Sequence, residues 1–113
     1  KWIEIWSRFD PDTDWDGLEA ERLARWHKQL HIFLYPFYYI EYAIAQLGAL
    51  QVWRNALKDQ AKATADYRAA LALGGSKPLP ELFAAAGARL IFDAKGMAEL
   101  VELIEGQIAT LEA

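Results

Sequence analysis

The sequence has no cysteine, a single methionine, and no run of lysine and arginine residues. Without cysteine the chain has no disulfide framework and no thiolate chemistry, which is typical of a reducing compartment, so a cytoplasmic location is expected. The formal net charge of −4 and the lack of a basic stripe argue against nucleic-acid binding. No apolar run reaches the roughly 18 residues of a membrane span, and no association with a membrane is expected.

Aromatic residues, by contrast, are plentiful, with five each of Trp, Tyr and Phe. The hydrophobic fraction of 54% over 113 residues is sufficient for one packed domain covering residues 1–113. The chain begins at Lys1 and runs directly into an aromatic, amphipathic segment. We therefore expect it to be a piece of a longer polypeptide.

The spacing of apolar residues predicts an all-α fold, a bundle of about five helices that forms part of a larger helical body. ARLIF (88–92) is the only strand-like run and is too short to indicate a sheet. The expected helical segments are the end of a helix in 1–9, a helix over 18–30, one over 36–57, one over 60–73, the short segment PELFAAAG (80–87), and a last helix from 94 to 111.

Helix boundaries are marked by residues with clear local preferences. Asp59 and Asp93 are expected to accept hydrogen bonds as N-caps, and Pro36 and Pro80 are suited to a first helical turn. Gly74 is expected to end the helix that begins after Asp59. Four small residues in the segment after Pro36 favour close approach by another helix: Ala43, Ala45, Gly48 and Ala49.

The segment HIFLYPFYYIEY (31–42) is unusual because it holds a histidine and four tyrosines around a proline. In a helix that starts at Pro36, Tyr42 shares a face with Tyr38 and Tyr39. His31 lies just before the break that the proline introduces. Phenol and imidazole donors suit an oxyanion that develops during peptide hydrolysis. The alternatives are an aromatic core with satisfied hydroxyls, or a binding surface.

Other candidate features favour simpler interpretations. His27 and His31 have the i, i+4 spacing of a zinc-binding pair, but Lys28 occupies the position of a catalytic base and no third ligand is evident. No metal site is therefore expected in this chain. The tryptophans at positions 2, 6, 26 and 53 are interpreted as core residues.

Residues 31–53 carry a long and specific pattern: His31-Ile32-Phe33, then PFYYIEY from Pro36, then IAQLGALQ from Ile44, and Trp53. This pattern resembles the C-terminal part of the oligoendopeptidase F family, relatives of the thimet-type zinc oligopeptidases. The similarity extends upstream through GLEAERLARWHKQLH (17–31) and downstream through LALGGSKPLPELFAAAG (71–87).

The resemblance implies a helical metallopeptidase fold in which zinc is held by HExxH and a later glutamate on preceding segments. That motif is absent here, since neither histidine is followed by glutamate. The chain would then be a C-terminal substrate-binding segment that is inactive alone, with zinc held elsewhere in the parent enzyme. By similarity, His31, Tyr39 and Tyr42 would contact the substrate carbonyl and the tetrahedral intermediate, and Tyr38 would bind substrate.

The expected partners are short peptide substrates and the N-terminal part of the peptidase, with self-association through exposed apolar surface as a further expectation. The alternative is a free-standing helical module that binds peptides or proteins without catalysis. An HExxH motif upstream in the same reading frame would favour the peptidase. A well-behaved monomer or a defined dimer would favour the module.

Overall fold

The computed structural model describes residues 1–112, and every regular element within that range is helical. This confirms the all-α prediction, and 88–92 forms no strand. Within the same range, no helix is both long and apolar enough to cross a membrane. The elements are α1 (Trp2–Trp6), α2 (Glu19–Ala24), a 3₁₀ helix (Arg25–Lys28), α3 (Leu30–Phe33), α4 (Ile40–Ala56), α5 (Gln60–Ala72), α6 (Leu79–Ala85) and α7 (Ala94–Leu111).

The described residues form more helices than the roughly five that were predicted. The helices near the N-terminal end are also shorter than predicted. The helix expected over 18–30 is divided, because Gln29 leaves the helical region with a ψ of 85°. This break separates the 3₁₀ helix from α3, and the rings of Trp26 and Phe33 stack across it with 5.7 Å between centroids.

The start of α4 also differs from the prediction. The helix begins at Ile40 rather than at Pro36, because Phe37 has a φ of 66°, in the left-handed region. The backbone N–H of Tyr38 donates to the carbonyl of Tyr35 at 3.1 Å, which closes a turn. Tyr38 and Tyr39 therefore lie in a turn, and the helical spacing that was expected to align them with Tyr42 does not apply.

The chain divides into two compact units, Lys1–Tyr39 and a second that begins at Ile40. In the first unit α1 contacts α2, which leads into the 3₁₀ helix. No residue of this unit is fully buried. The expectation that the tryptophans form a core is wrong, since Trp2, Trp6 and Trp26 are half-buried and Trp53 of the second unit is exposed.

In the second unit α4 packs against α5 and α7, and α5 contacts α6. Among its described residues, the buried apolar side chains are Ala63 of α5, Ile91 of the connection before α7, and Leu100 of α7. Of the small residues of α4, Gly48 leaves room for a neighbouring aromatic ring. A Cβ atom at that position would lie 2.9 Å from Cε1 of Phe83 in α6.

Gln51 is a buried polar side chain of α4, with a relative exposure of 1%. Its amide nitrogen donates to the carbonyl of Arg89 at 2.8 Å, and its amide oxygen accepts from the Arg89 N–H at 3.0 Å. One turn further on, Asn55 donates to the carbonyl of Gly87 at 2.8 Å. Two side chains of α4 thus provide hydrogen-bond partners for backbone N–H and C=O groups of the connection between α6 and α7. These groups lie outside any helix and so lack helical hydrogen bonds.

Apart from the start of α4, helix ends in the second unit confirm the local predictions. Asp59 accepts a hydrogen bond from the Lys62 N–H and Asp93 accepts one from the Gly96 N–H, as N-caps do. Pro80 lies in the first turn of α6. Gly74, which follows α5, has a φ of 53°, a conformation that glycine adopts without a Cβ penalty.

Candidate functional site

The first unit brings three of the predicted site residues together. The ring centroid of His31 lies 4.9 Å from that of Tyr39 and 6.0 Å from that of Tyr38. The His31 and Tyr38 rings are nearly parallel, at 14°, whereas Tyr39 is tilted by 48°. The short helix α3 carries His31, and the turn after Pro36 directs the chain back so that both tyrosines reach it.

Tyr42 is the fourth predicted residue. It lies in the first turn of α4 and therefore belongs to the second unit, where its side chain is 55% exposed. The tyrosine that was left out of the predicted site, Tyr35, belongs to the first unit, and its ring centroid lies 6.2 Å from that of Tyr38.

A cavity of about 480 Å³ opens beside His31 in the first unit. We call it the aromatic cavity, because four of its walls are the rings of Trp2, Trp6, Phe9 and Phe37. His31 and Tyr39 line it as well, whereas Tyr38 does not. Of the two adjacent tyrosines that the sequence could not distinguish, Tyr39 is therefore the one that faces this space.

The Trp6 side chain, which forms one wall of the aromatic cavity, is held in place by several contacts. The Trp6 Nε1–H donates to Asp10 at 2.8 Å, and the rings of Trp2 and Trp6 stack at 5.3 Å. The guanidinium of Arg25 lies 4.7 Å from the Trp6 ring centroid and 3.6 Å from the Asp10 carboxylate. Hydrogen bonds from the Thr13 hydroxyl and from Trp6 hold the pKa of Asp10 below its usual value, with a smaller contribution from Arg25.

Sequence reasoning missed the aromatic cavity although one signal for it was present. Trp2 and Trp6 were expected in the core, and residues 1–9 were expected to be the end of a helix. The contribution of Phe37 depends on its left-handed backbone conformation, which local sequence preferences do not predict for phenylalanine.

A separate cavity of about 550 Å³ lies within the second unit, between α4, α5 and α6. Trp53, Tyr67 and Phe83 supply its aromatic walls, and Leu71 and Leu79 are among its other apolar lining residues. None of the predicted site residues lines it.

Among residues 1–112 there is no group of three or more His, Cys, Asp or Glu side chains placed to hold a metal. His27 lies in the 3₁₀ helix and His31 in α3, so the two no longer share the helical face that their spacing suggested. The His27 ring instead packs against Trp26, with 4.1 Å between centroids.

One comparison with known proteins gives a match. The family model described as peptidase family M3 matches residues 1–102, which is nearly the whole chain. No curated protein sequence and no solved structure matches the chain.

Proposed function

Because the chain belongs to peptidase family M3, we propose that it forms the substrate-binding segment of a cytoplasmic, zinc-dependent oligoendopeptidase of the oligoendopeptidase F type. Its substrates would be short peptides. The zinc and its ligands belong, in this proposal, to the segment that carries HExxH, and the present chain contributes hydrogen-bond donors to the substrate. Alone, the chain would not hydrolyse peptides.

The observation that carries the proposal is the grouping of His31 with Tyr38 and Tyr39, whose ring centroids lie within 6.0 Å of the imidazole. A phenol O–H and an imidazole N–H are both hydrogen-bond donors. The aromatic cavity beside His31 and Tyr39 provides room for part of a peptide. An imidazole and a phenol at the edge of a cavity match the donor chemistry that a peptide carbonyl requires.

The proposed role of these side chains is to orient the scissile carbonyl and to stabilise its oxygen as negative charge develops. His31 and Tyr39 donate hydrogen bonds from the edge of the aromatic cavity. By the family resemblance, Tyr42 at the start of α4 is a third candidate donor. Tyr38 stacks against His31 and contacts the peptide. Donors that are held in place before the reaction lower the barrier most, because they need no reorganisation when the charge appears.

The test is steady-state kinetics of the zinc-loaded peptidase that contains this chain, with Tyr39→Phe and Tyr42→Phe as variants. Each substitution removes one hydroxyl and preserves the ring. We expect kcat to fall by about 100- to 1,000-fold with a much smaller change in KM, because the lost hydrogen bond is strongest in the transition state.

Tyr67→Phe is the matched control, since Tyr67 lies in the second unit and lines the other cavity. We expect its kcat to remain within about twofold of the wild-type value. Wild-type turnover in both Tyr39→Phe and Tyr42→Phe would contradict the proposed role of these hydroxyls. Peptide binding by a native protein that consists of this chain alone would instead support a free-standing binding module.

A further inference from the structure

The last helix, α7, has two apolar faces, and only one of them is covered within residues 1–112. Gly96 and Leu100 are buried in the second unit, where α7 packs against α4. The other apolar residues of the helix recur at alternating intervals of four and three: Met97, Val101, Ile104, Ile108 and Leu111. We call this set the α7 stripe. From it we propose that α7 is a docking surface for a basic amphipathic helix of a partner protein.

The spacing of the α7 stripe is that of a helix that packs against another helix. Apolar residues at alternating intervals of four and three stay on one side over successive turns, and two such helices bury their stripes together. Within this chain the stripe remains open, since Val101 is 51% exposed, Ile108 48% and Leu111 86%. A continuous exposed apolar stripe on a helix is the surface that an amphipathic partner helix covers.

The charge of α7 indicates which kind of helix fits. The helix contains one lysine and three glutamates: Lys95, Glu99, Glu102 and Glu105. Glu99 forms an ion pair with Arg54 of α4 at 3.5 Å. No ion pair within residues 1–112 involves Glu102 or Glu105. Uncompensated negative charge beside the α7 stripe therefore favours a partner with lysine or arginine.

The glutamates lie where charge selects a partner helix. Glu105 and Glu112 each directly follow a residue of the α7 stripe, so they lie along its edge. Charged side chains at this edge of a helix pair set partner choice through interhelical ion pairs. Lysine or arginine on the partner would pair with these carboxylates. A second copy of α7 would instead bring glutamates of its own, and like charges repel.

The C-terminal end of α7 adds to this preference. The last carbonyl groups of a helix have no intrahelical partners and carry partial negative charge, which cations stabilise. The last turn of α7 contains no basic residue. A basic side chain from a partner helix would interact favourably with this end as well as with Glu105.

Part of the α7 stripe also lies outside the segment that matches the peptidase family. The match ends at residue 102, whereas Ile104, Ile108 and Leu111 follow it. The family match therefore does not account for this half of the stripe. We assign its occupant to a second protein rather than to the peptidase itself, and docking there does not depend on peptide hydrolysis.

The experiment measures binding of a synthetic basic helix to the chain by fluorescence anisotropy. The probe is a labelled peptide of three repeats of Leu-Lys-Ala-Leu-Lys-Ala-Lys, which places leucine on one face and lysine along both edges. With the chain kept below about 5 µM, we expect a dissociation constant of about 1 µM. Two comparison peptides should bind at least about tenfold more weakly. One has the same composition in an order that forms no apolar stripe, and the other has glutamate in place of every lysine.

Two variants locate the binding surface. Ile108→Ser interrupts the α7 stripe at a half-exposed position and should weaken binding about tenfold. Glu105→Lys reverses one charge at an exposed edge position and should weaken binding about three- to tenfold. Leu71→Ser, at a 61% exposed site of α5, and Glu21→Lys, at an exposed site of α2, are the matched controls and should bind as wild type does.

Each contrary result would overturn the docking surface. Equal binding of the ordered and reordered basic peptides would show attraction to net charge alone. Equal binding of the basic and acidic peptides would contradict the preference for a basic partner. Binding that neither Ile108→Ser nor Glu105→Lys weakens would place the peptide elsewhere. Failure of the basic peptide to bind, together with loss of self-association in Ile108→Ser by sedimentation velocity, would assign the α7 stripe to a second copy of this chain.

Discussion

At the scale of single residues, Asp93 shows how one side chain can begin a helix and hold the segment before it. Its carboxylate accepts from the Gly96 N–H at 2.7 Å and from the Arg89 guanidinium at 3.2 Å. The hydrogen bond from Gly96, followed by that from Arg89, holds the pKa of Asp93 below its usual value. Both hydrogen bonds are stronger when the carboxylate is ionised, so the charged form of Asp93 stabilises the start of α7 more than the neutral form does.

This shift makes the stability of the second unit depend on pH. Because the pKa of Asp93 is lower in the folded state, ionisation adds stability above the ordinary value of about 4, and that stability is lost as the pH falls through the folded-state pKa. Asp93→Asn retains a capping side chain but not the charge. We expect the variant to melt at a lower temperature than wild type near pH 7, by circular dichroism, and the difference to shrink below about pH 4.

Asp12→Asn serves as the control for this titration, since Asp12 lies in the exposed connection between α1 and α2. Its melting temperature should follow that of wild type at each pH. A difference between wild type and Asp93→Asn that stays constant from about pH 7 to about pH 3 would contradict the charge-dependent cap.

At the scale of the element, α7 contains two glycines, Gly96 and Gly106, which cannot be distinguished from the sequence alone. A Cβ at Gly96 would lie 2.8 Å from Cγ2 of Ile91, whose side chain is itself buried. A Cβ at Gly106 would meet no atom within 4 Å. Gly96 therefore permits the connection before α7 to pack onto the helix, whereas Gly106 only lowers helix propensity.

The two positions give opposite predictions for the same substitution. Gly96→Ala should lower the free energy of unfolding by about 1–3 kcal/mol, because Ile91 must move to accommodate the methyl group. Gly106→Ala should raise it by up to about 1 kcal/mol, because alanine favours the helix and nothing obstructs it. Urea unfolding followed by circular dichroism measures both. Equal effects at the two sites would show that Gly96 is not packed as described.

At the scale of the whole molecule, large apolar side chains remain exposed in both units. They include Phe33 and Leu34 in the first unit, and Leu71 and Val101 in the second. Exposed apolar surface of this kind commonly marks an interface with another protein surface. The expected partners for such surface are the N-terminal part of the peptidase and a second copy of this chain.

We therefore expect the isolated chain to self-associate as its concentration rises from about 5 µM to about 200 µM, as measured by sedimentation velocity. Raising the salt concentration from about 50 mM to about 500 mM should maintain or strengthen association, because salt screens the repulsion between chains of net charge −4. Association that weakens with salt would indicate ionic contacts instead. A monomer at every concentration would contradict the proposed apolar interface.

Local sequence features predict the helical class and most helix ends of the second unit. Asp59 and Asp93 cap the helices that follow them, Pro80 lies in the first turn of α6, and Gly74 follows the end of α5 with positive φ. These features depend on interactions within about four residues along the chain, which local chemistry describes well. The segment that holds His31 and the tyrosines is also recognisable from its pattern, but the helix that was expected to align Tyr38 and Tyr39 with Tyr42 begins only at Ile40.

The arrangement of the first unit around His31 and the tyrosines depends on contacts between distant segments. The turn from Pro36 to Tyr39, with Phe37 at positive φ, opposes the local helix preference, so no residue-by-residue rule predicts it. The aromatic cavity joins α1 to this turn across about thirty residues of sequence, and Trp6 is positioned by Asp10 and Arg25. Such contacts depend on where separate segments meet, because their energies come from packing and charge placement in three dimensions rather than from neighbouring residues.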